Sequence, residues 1–150
     1  MLPLNENMQP SFTLAEITAI AACGIYFMIG LVTGVWKYFS IMKSETHQAP
    51  IYVGIAHRAA LMYSFACLVI LEFVKYSTLP DSVEFFAAAL PIFFFGTAIF
   101  TYILLGITQH TDNQFKERTI ITTWGMYLLI LGEIGGFAVL LYGAFRHITA

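Results

Sequence analysis

The apolar residues of this chain form long continuous runs that are separated by short polar stretches. Residues 17–36 carry no charge, and neither do residues 85–109. Residues 119–145 contain a single charged residue, Glu133. Because an α-helix needs about 20 apolar residues to cross the hydrocarbon core of a bilayer, each of these three runs is long enough for one crossing. The runs are continuous and not alternating, which argues against a β-barrel.

A fourth apolar run is shorter and is bounded by charges. Residues 59–71 are uncharged, but a full crossing over residues 51–77 also includes charged residues such as Arg58 and Glu72. Long charged side chains near the end of a helix can extend to the lipid headgroups, so this segment can still span the membrane. Its polar residues are difficult to place against lipid, and we therefore expect this second helix to be the most buried. The predicted spans are residues 14–42, 51–77, 84–109 and 119–146.

Short connections join the four predicted helices. Neighbouring helices that are joined by short loops are expected to pack side by side in antiparallel directions. The sequence therefore predicts a single all-α domain over residues 1–150, an integral membrane four-helix bundle. The helix starts also have local signals: Thr13 and Glu16 fit a capping box before the first helix, Pro50 begins the second, and Asp81 or Ser82 caps the third.

The composition agrees with a membrane protein. Apolar residues make up 59% of the chain and charged residues 11%, whereas water-soluble proteins have about 45–50% and about 25%. Seven Lys and Arg against nine Asp and Glu are too few to cover a soluble surface, and they exclude a basic protein that binds nucleic acid. Cys23 and Cys67 both fall inside predicted spans, where we expect them to behave as small apolar residues.

The distribution of Lys and Arg predicts an orientation in the membrane. Positively charged residues accumulate in the cytoplasmic connections of membrane proteins. Lys75 and Arg146 lie on the side of the termini and the second connection. The side of the first and third connections has five such residues: Lys37, Lys43, Arg58, Lys116 and Arg118. We therefore expect a protein of the cytoplasmic (inner) membrane with both termini outside.

Glu133 lies at the centre of the fourth predicted helix, where an ionised carboxylate is costly. Ionisable residues inside a membrane usually have a function, so Glu133 is a candidate for proton transfer or substrate contact. It is expected to be protonated or hydrogen-bonded. The alternative is a packing role with an interhelical hydrogen bond, because Gly132 and Gly136 form a small-xxx-small pair that lets another helix approach. Gly30 and Gly34 form a second such pair on the first helix.

His57 and His110 are the candidate cofactor ligands. A neutral imidazole is a common axial ligand of haem iron. His57 lies one or two turns inside the second helix, and His110 follows the third helix on the same side of the membrane, so His57 can bind haem alone or together with His110. A histidine that is hydrogen-bonded at the membrane surface is the alternative for His57. Arg58 beside it is expected to extend to the headgroups.

Tyr63 and Tyr102 lie deep in the predicted second and third helices. A buried tyrosine hydroxyl needs a hydrogen-bond partner, so we expect both side chains to face the interior of the bundle. Like Glu133, both are polar residues that lie too deep in a predicted span to be at the membrane surface. Tyr52 and Tyr76, at the two ends of the second helix, are expected to lie in the aromatic belts at the membrane surfaces.

The pair Gly30 and Gly34, a connecting loop, and then Ala56 and His57 at the start of the second helix resemble the small four-helix membrane isomerases. These are the styrene oxide isomerases and the hydroxylaminobenzene mutases, which have a similar length and number of spans. The resemblance implies that His57 is an axial ligand of haem b and that the protein is a homotrimer with haem between subunits. It also implies that ferric haem acts as a Lewis acid on an epoxide oxygen.

Two positions depart from this family. The family has an asparagine six residues after the histidine, where this chain has Tyr63. It has a second asparagine one turn before the tyrosine that Tyr102 matches, where this chain has Ala98. These two departures weaken the expectation of isomerase activity more than the expectation of haem binding. The membrane enzymes of eicosanoid and glutathione metabolism are also similar in outline, but only Arg58 matches their motif.

Three classes of function follow from these residues. The first is a haem b-binding membrane protein, isomerase-like or redox-related, that is centred on His57. The second is a proton-coupled transport component that uses Glu133. The third is a structural or accessory subunit whose polar residues only hold the helices together. The lipid bilayer and further copies of the same chain are the expected partners.

Overall fold

The computed structural model describes residues 11–116 and 120–149, and four long helices make up most of them. They are α1 (Leu14–Lys43), α2 (Ile51–Lys75), α3 (Asp81–Thr108) and α4 (Met126–Ile148), with a π-helical turn at Ile121–Gly125 that leads directly into α4. No strand occurs within these two described ranges. The structure contains four helices that are long and apolar enough to cross a membrane, the fourth of them including most of the π-helical turn. The prediction of an all-helical chain with four long apolar segments is confirmed.

The starts of α1 and α2 are those that the sequence predicts. The Thr13 N–H donates to Glu16 Oε2 at 2.8 Å, and the Glu16 N–H donates to the Thr13 hydroxyl at 3.2 Å, which completes the capping box. Pro50 is the N-cap of α2. Proline is tolerated at this point because the first N–H groups of a helix have no partner inside the helix.

The start of α3 differs from the prediction. The helix begins at Asp81, before the predicted start at residue 84, and neither Asp81 nor Ser82 caps it. Pro80 is the N-cap and no side chain makes a capping hydrogen bond. The Pro80 carbonyl accepts a helical hydrogen bond from the Glu84 N–H at 3.0 Å. Asp81 and Glu84 lie in the first turn, where negative charge is favourable to the helix dipole.

The predicted start of the fourth helix, residue 119, lies outside the described residues. Ile120 is already helical, and the π-helical segment Ile121–Gly125 follows it. Single π-helical turns are rare and occur frequently at functional sites. This turn leads directly into the first residue of α4, Met126.

α1 and α2 pack closely through the glycine pair on α1. A Cβ atom at Gly30 would lie 2.6 Å from Leu61 Cδ2, and one at Gly34 would lie 2.9 Å from His57 Cε1. Glycine suits these two positions because side chains of α2 occupy the space that a Cβ atom would need. His57 and Leu61 are one turn apart on α2, so they lie on the same face and cover both glycines.

α3 and α4 make a similar contact through the second glycine pair. A Cβ atom at Gly132 would collide with the Phe94 ring, and one at Gly136 would lie 2.8 Å from both the Ala87 carbonyl oxygen and Pro91 Cδ. Pro91 has no N–H, so the Ala87 carbonyl lacks its usual helical hydrogen bond. The backbone of α4 therefore approaches α3 at the point where the proline has removed that bond.

α2 is the most buried of the four helices, as predicted. In its most apolar stretch of eighteen residues, 39% of the residues are buried, against 22%, 28% and 28% in the other three. Ala56, Ala60, Ser64 and Cys67 are all buried and recur at helical spacing along it. Small residues at buried positions let neighbouring helices approach closely.

Large apolar side chains cover the outside of the bundle. Val32, Phe65, Phe100 and Leu131, one from each helix, are 61%, 59%, 62% and 70% exposed. Soluble monomers rarely expose large apolar patches. This outer surface suits contact with lipid on all four helices.

Candidate functional site

The His57 side chain is held between α2 and α1. Its Nδ1 lies 2.8 Å from the Gly30 carbonyl oxygen, and its ring rests against Gly34. A carbonyl oxygen only accepts hydrogen bonds, so Nδ1 carries the proton and donates. In the neutral imidazole, Nε2 is then the nitrogen with a free lone pair. The half-buried ring thus has one fixed nitrogen and one that is available to a ligand.

Histidines that bind metals usually have this arrangement. The nitrogen that does not bind the metal donates its N–H to a backbone carbonyl or a carboxylate, and this bond fixes the orientation of the ring. The interpretation of His57 as a hydrogen-bonded residue is confirmed, but the bond uses Nδ1 alone and leaves ligation open. The described part of the chain holds no group of three or more metal-ligating side chains. A single histidine is too few ligands for a zinc site.

Arg58 and His110 lie apart from His57. Arg58 is exposed, and one guanidinium nitrogen lies 3.7 Å from the Cβ position of Gly54, so the side chain runs back toward the start of α2. His110 is exposed just beyond α3, and its Nδ1 forms a hydrogen bond of 2.8 Å with the Thr108 hydroxyl. His57 and His110 therefore have different hydrogen-bond partners and different exposure.

A cavity of about 650 Å³ lies between α3, α4 and the connection that joins them. Its α3 wall is a row of residues at helical spacing from Phe94 to Leu105, and its other helical wall runs from Thr122 to Leu129. That second wall includes part of the π-helical turn. The connection adds polar side chains from residues 110–116. The cavity is therefore more apolar toward the middle of the bundle and more polar toward the connection.

Tyr63, Tyr102 and Glu133 lie near one another, and of the three Tyr102 lines this cavity. The Tyr63 side chain is close enough to both Tyr102 and Glu133 to interact with them electrostatically. Tyr102 is also within electrostatic range of Glu133. Both tyrosines are partly buried, and each ring stacks on an aromatic ring of a neighbouring helix. Three helices thus bring these predicted site residues together.

One of the two carboxyl oxygens of Glu133 makes no interhelical hydrogen bond within the described part of the chain. This oxygen, Oε1, is buried and has no hydrogen-bond partner among the described residues. The Tyr63 ring stacks on Phe95 with centroids 4.4 Å apart, and the Tyr102 ring stacks on Tyr52 with centroids 6.2 Å apart. These stacking contacts hold the two tyrosine rings against neighbouring aromatic rings.

Tyr52 is a site residue that sequence reasoning missed. The prediction that it lies in an aromatic belt at the membrane surface is wrong, because the side chain is only 5% exposed. Its hydroxyl accepts a hydrogen bond of 2.6 Å from the Gln114 N–H, and its ring stacks on Tyr102. Tyr52 thereby fixes the third connection against α2. The sequence does not show whether a tyrosine in the first turn of an apolar helix lies at the membrane surface or is buried against a neighbouring connection.

A second cavity of about 300 Å³ lies between the start of α2 and the end of α3. Pro50, Tyr52, Leu105 and His110 are among its lining residues, and the last two also line the larger cavity. His110 is therefore placed at the polar end of both cavities. His57 lines neither of them.

No family model, curated protein or solved structure matches this chain. The candidate sites rest on the geometry of His57 and on the cavity beside Tyr102.

Proposed function

We propose that this chain is a multi-pass membrane protein that binds haem b through His57 Nε2 and acts as an isomerase-like or redox-related membrane protein. The hydrogen bond of 2.8 Å from His57 Nδ1 to the Gly30 carbonyl carries the proposal. It fixes the ring and its tautomer, and it leaves the Nε2 lone pair for a ligand. Haem, when bound, supplies an iron centre that can act as a Lewis acid or carry an electron.

The surroundings of His57 fit one axial ligand at the surface of the bundle. His57 lines neither of the two cavities, so the cavities offer no pocket for a porphyrin around it. Leu31 and Val35, on the same stretch of α1 as Gly34, are 47% and 56% exposed. A second copy of the chain against this apolar surface would complete the pocket. This arrangement agrees with the homotrimer that the resemblance implies.

The proposal includes an antiparallel four-helix arrangement in the cytoplasmic membrane with both termini outside. The exposed apolar side chains on all four helices support the membrane location. The excess of Lys and Arg beside the first and third connections supports the orientation.

An absorbance spectrum tests the haem proposal. The full chain is expressed with ample haem supply and purified in detergent, and we expect a Soret band. His57→Ala should lose this band because the axial ligand is gone, whereas His47→Ala and His147→Ala should keep it, since both of these histidines are exposed. His110→Ala tests the predicted second ligand: a shifted band indicates that His110 binds the iron, and an unchanged band indicates a single ligand.

Two outcomes contradict the proposal. A folded but colourless wild-type protein would favour the accessory-subunit alternative, and a Soret band that His57→Ala leaves unchanged would exclude His57 as the ligand. Free imidazole added to His57→Gly separates ligation from folding. It should restore the band if the only defect is a missing ligand, and it cannot restore the band of an unfolded protein.

A further inference from the structure

The cavity between α3, α4 and their connection has no part in haem binding by His57. We propose that it is a binding site for a small lipophilic amine, whose protonated nitrogen pairs with the Glu133 carboxylate. This inference does not rest on the haem proposal, because His57 does not line the cavity.

Glu133 continues the row of α4 residues that faces the cavity. Met126 and Leu129 line the cavity, and Glu133 follows Leu129 by one helical turn, just beyond the residues that line the cavity. Residues at this spacing lie on the same face of a helix. Gly136, the next residue on this face, is in contact with Pro91 on α3. The face of α4 that carries Glu133 is therefore turned toward α3 along much of its length.

The Glu133 carboxyl group has one oxygen without a hydrogen-bond partner among the described residues. This oxygen, Oε1, is buried. A buried acceptor without a donor is costly, and native structures contain few of them. Among the described residues that line the cavity, Lys116 is the one lysine or arginine, and it belongs to the polar connection at the other end. A ligand that brings an N–H group would satisfy the Glu133 oxygen.

Aromatic rings lie around the same position. The Phe94 ring lines the cavity and rests against Gly132, the residue before Glu133. Tyr102 lines the cavity as well, and Tyr63 is within electrostatic range of Glu133. The faces of aromatic rings attract an ammonium group, and a buried carboxylate supplies the opposite charge. An organic cation fits these surroundings better than a metal ion, which needs several oxygen ligands.

The size and polarity of the cavity define the rest of the ligand. A volume of about 650 Å³ lies within the range of about 300–1,000 Å³ that is usual for sites of small organic molecules. Ala98, Leu105, Met126 and Leu129 provide an apolar wall for a ring or a short chain. The neutral amine takes the proton of the Glu133 carboxyl group, and the ammonium and carboxylate groups then form a pair.

Two probes of the same shape test the proposal on the full chain in detergent. They are 1-naphthylmethylamine and 1-naphthylmethanol, which differ in the basic nitrogen, and binding is followed by naphthalene fluorescence. We expect the wild-type protein to bind the amine more tightly than the alcohol. Glu133→Gln should weaken amine binding by at least about tenfold, because it removes the charge pair, and should leave alcohol binding unchanged.

Two further variants serve as controls. Glu84→Gln removes another buried acid, which is 5% exposed and lies in the first turn of α3, and it should bind the amine as the wild type does. Thr101→Trp introduces a large side chain at an exposed position that lines the cavity, and it should weaken the binding of both probes. If Glu133→Gln does not fold, Glu133→Asp keeps the charge and should retain the preference for the amine.

Several results would overturn the proposal. They are equal binding of amine and alcohol by the wild type, wild-type amine affinity in Glu133→Gln, and wild-type affinity for both probes in Thr101→Trp. The last result would show that the probes bind elsewhere, in the detergent or at the outer surface of the bundle.

Discussion

Gly34 and His57 determine each other's conformation. The imidazole ring occupies the space that a Cβ atom at position 34 would need, and the hydrogen bond to Gly30 keeps the ring there. Position 34 therefore needs a glycine for two reasons: the imidazole ring fills the space beside it, and the two helices approach closely there. The orientation of the candidate ligand consequently depends on a residue of the other helix.

Gly34→Ala should displace the His57 ring. The new methyl group would lie 2.9 Å from His57 Cε1, and such overpacking usually lowers the free energy of unfolding by about 1–3 kcal/mol. Gly24→Ala is the matched control, because nothing lies within 4 Å of its Cβ position. Thermal unfolding in detergent and the ratio of the Soret band to protein absorbance measure both effects. Equal results for the two variants would show that the ring is not fixed against Gly34.

The sequence identifies the site residues but not their partners. His57, Tyr63, Tyr102 and Glu133 stand out because a polar side chain inside an apolar run is a local signal. The partner of His57 is a backbone carbonyl of another helix, and Tyr52 is buried against the third connection. These contacts depend on the rotation of each helix. An amphipathic pattern reveals that rotation in soluble proteins, but here the outer face and the core are both apolar.

At the scale of the elements, helix bounds were predictable because they depend on local composition. The first predicted span, 14–42, agrees with Leu14–Lys43, and 51–77 agrees with Ile51–Lys75 to within two residues. The π-helical turn at Ile121–Gly125 was not predictable, since such a turn has no sequence pattern comparable to a helix cap. The close contact of α3 with α4 was predictable only in part: the Gly132 and Gly136 pair indicated an approach but not its partner.

Gly136→Ala should weaken the contact between α3 and α4. Its Cβ atom would lie 2.8 Å from the Ala87 carbonyl oxygen and from the Pro91 ring. Neither group can rotate away, because one is backbone and the other is a ring closed on the backbone. We expect the free energy of unfolding to fall by about 1–3 kcal/mol, measured by thermal unfolding in detergent. Gly135→Ala is the adjacent control, with no atom within 4 Å of its Cβ position, and a loss of the same size there would contradict this packing.

At the scale of the whole molecule, the apolar outer surface and the placement of charge carry the membrane proposal. The one ion pair found within the described residues joins Lys75 and Glu72 at the end of α2, and both side chains are about half exposed. Such a pair stabilises a folded protein only slightly. This pair therefore contributes little to the stability of the bundle.

Cysteine labelling tests that orientation. Both native cysteines are replaced by alanine, and single cysteines are placed at Ser11, Glu45, Ser82 and Asp112, which are all exposed. Because Lys and Arg accumulate beside the first and third connections, a membrane-impermeant maleimide should label Ser11→Cys and Ser82→Cys in intact cells. Glu45→Cys and Asp112→Cys should be labelled only after the membrane is permeabilised, which also controls for their reactivity. The reverse pattern would contradict the orientation. A difference between Glu45→Cys and Asp112→Cys would contradict the four-span arrangement itself, since two full crossings, α2 and α3, separate these positions and must return the chain to the same side.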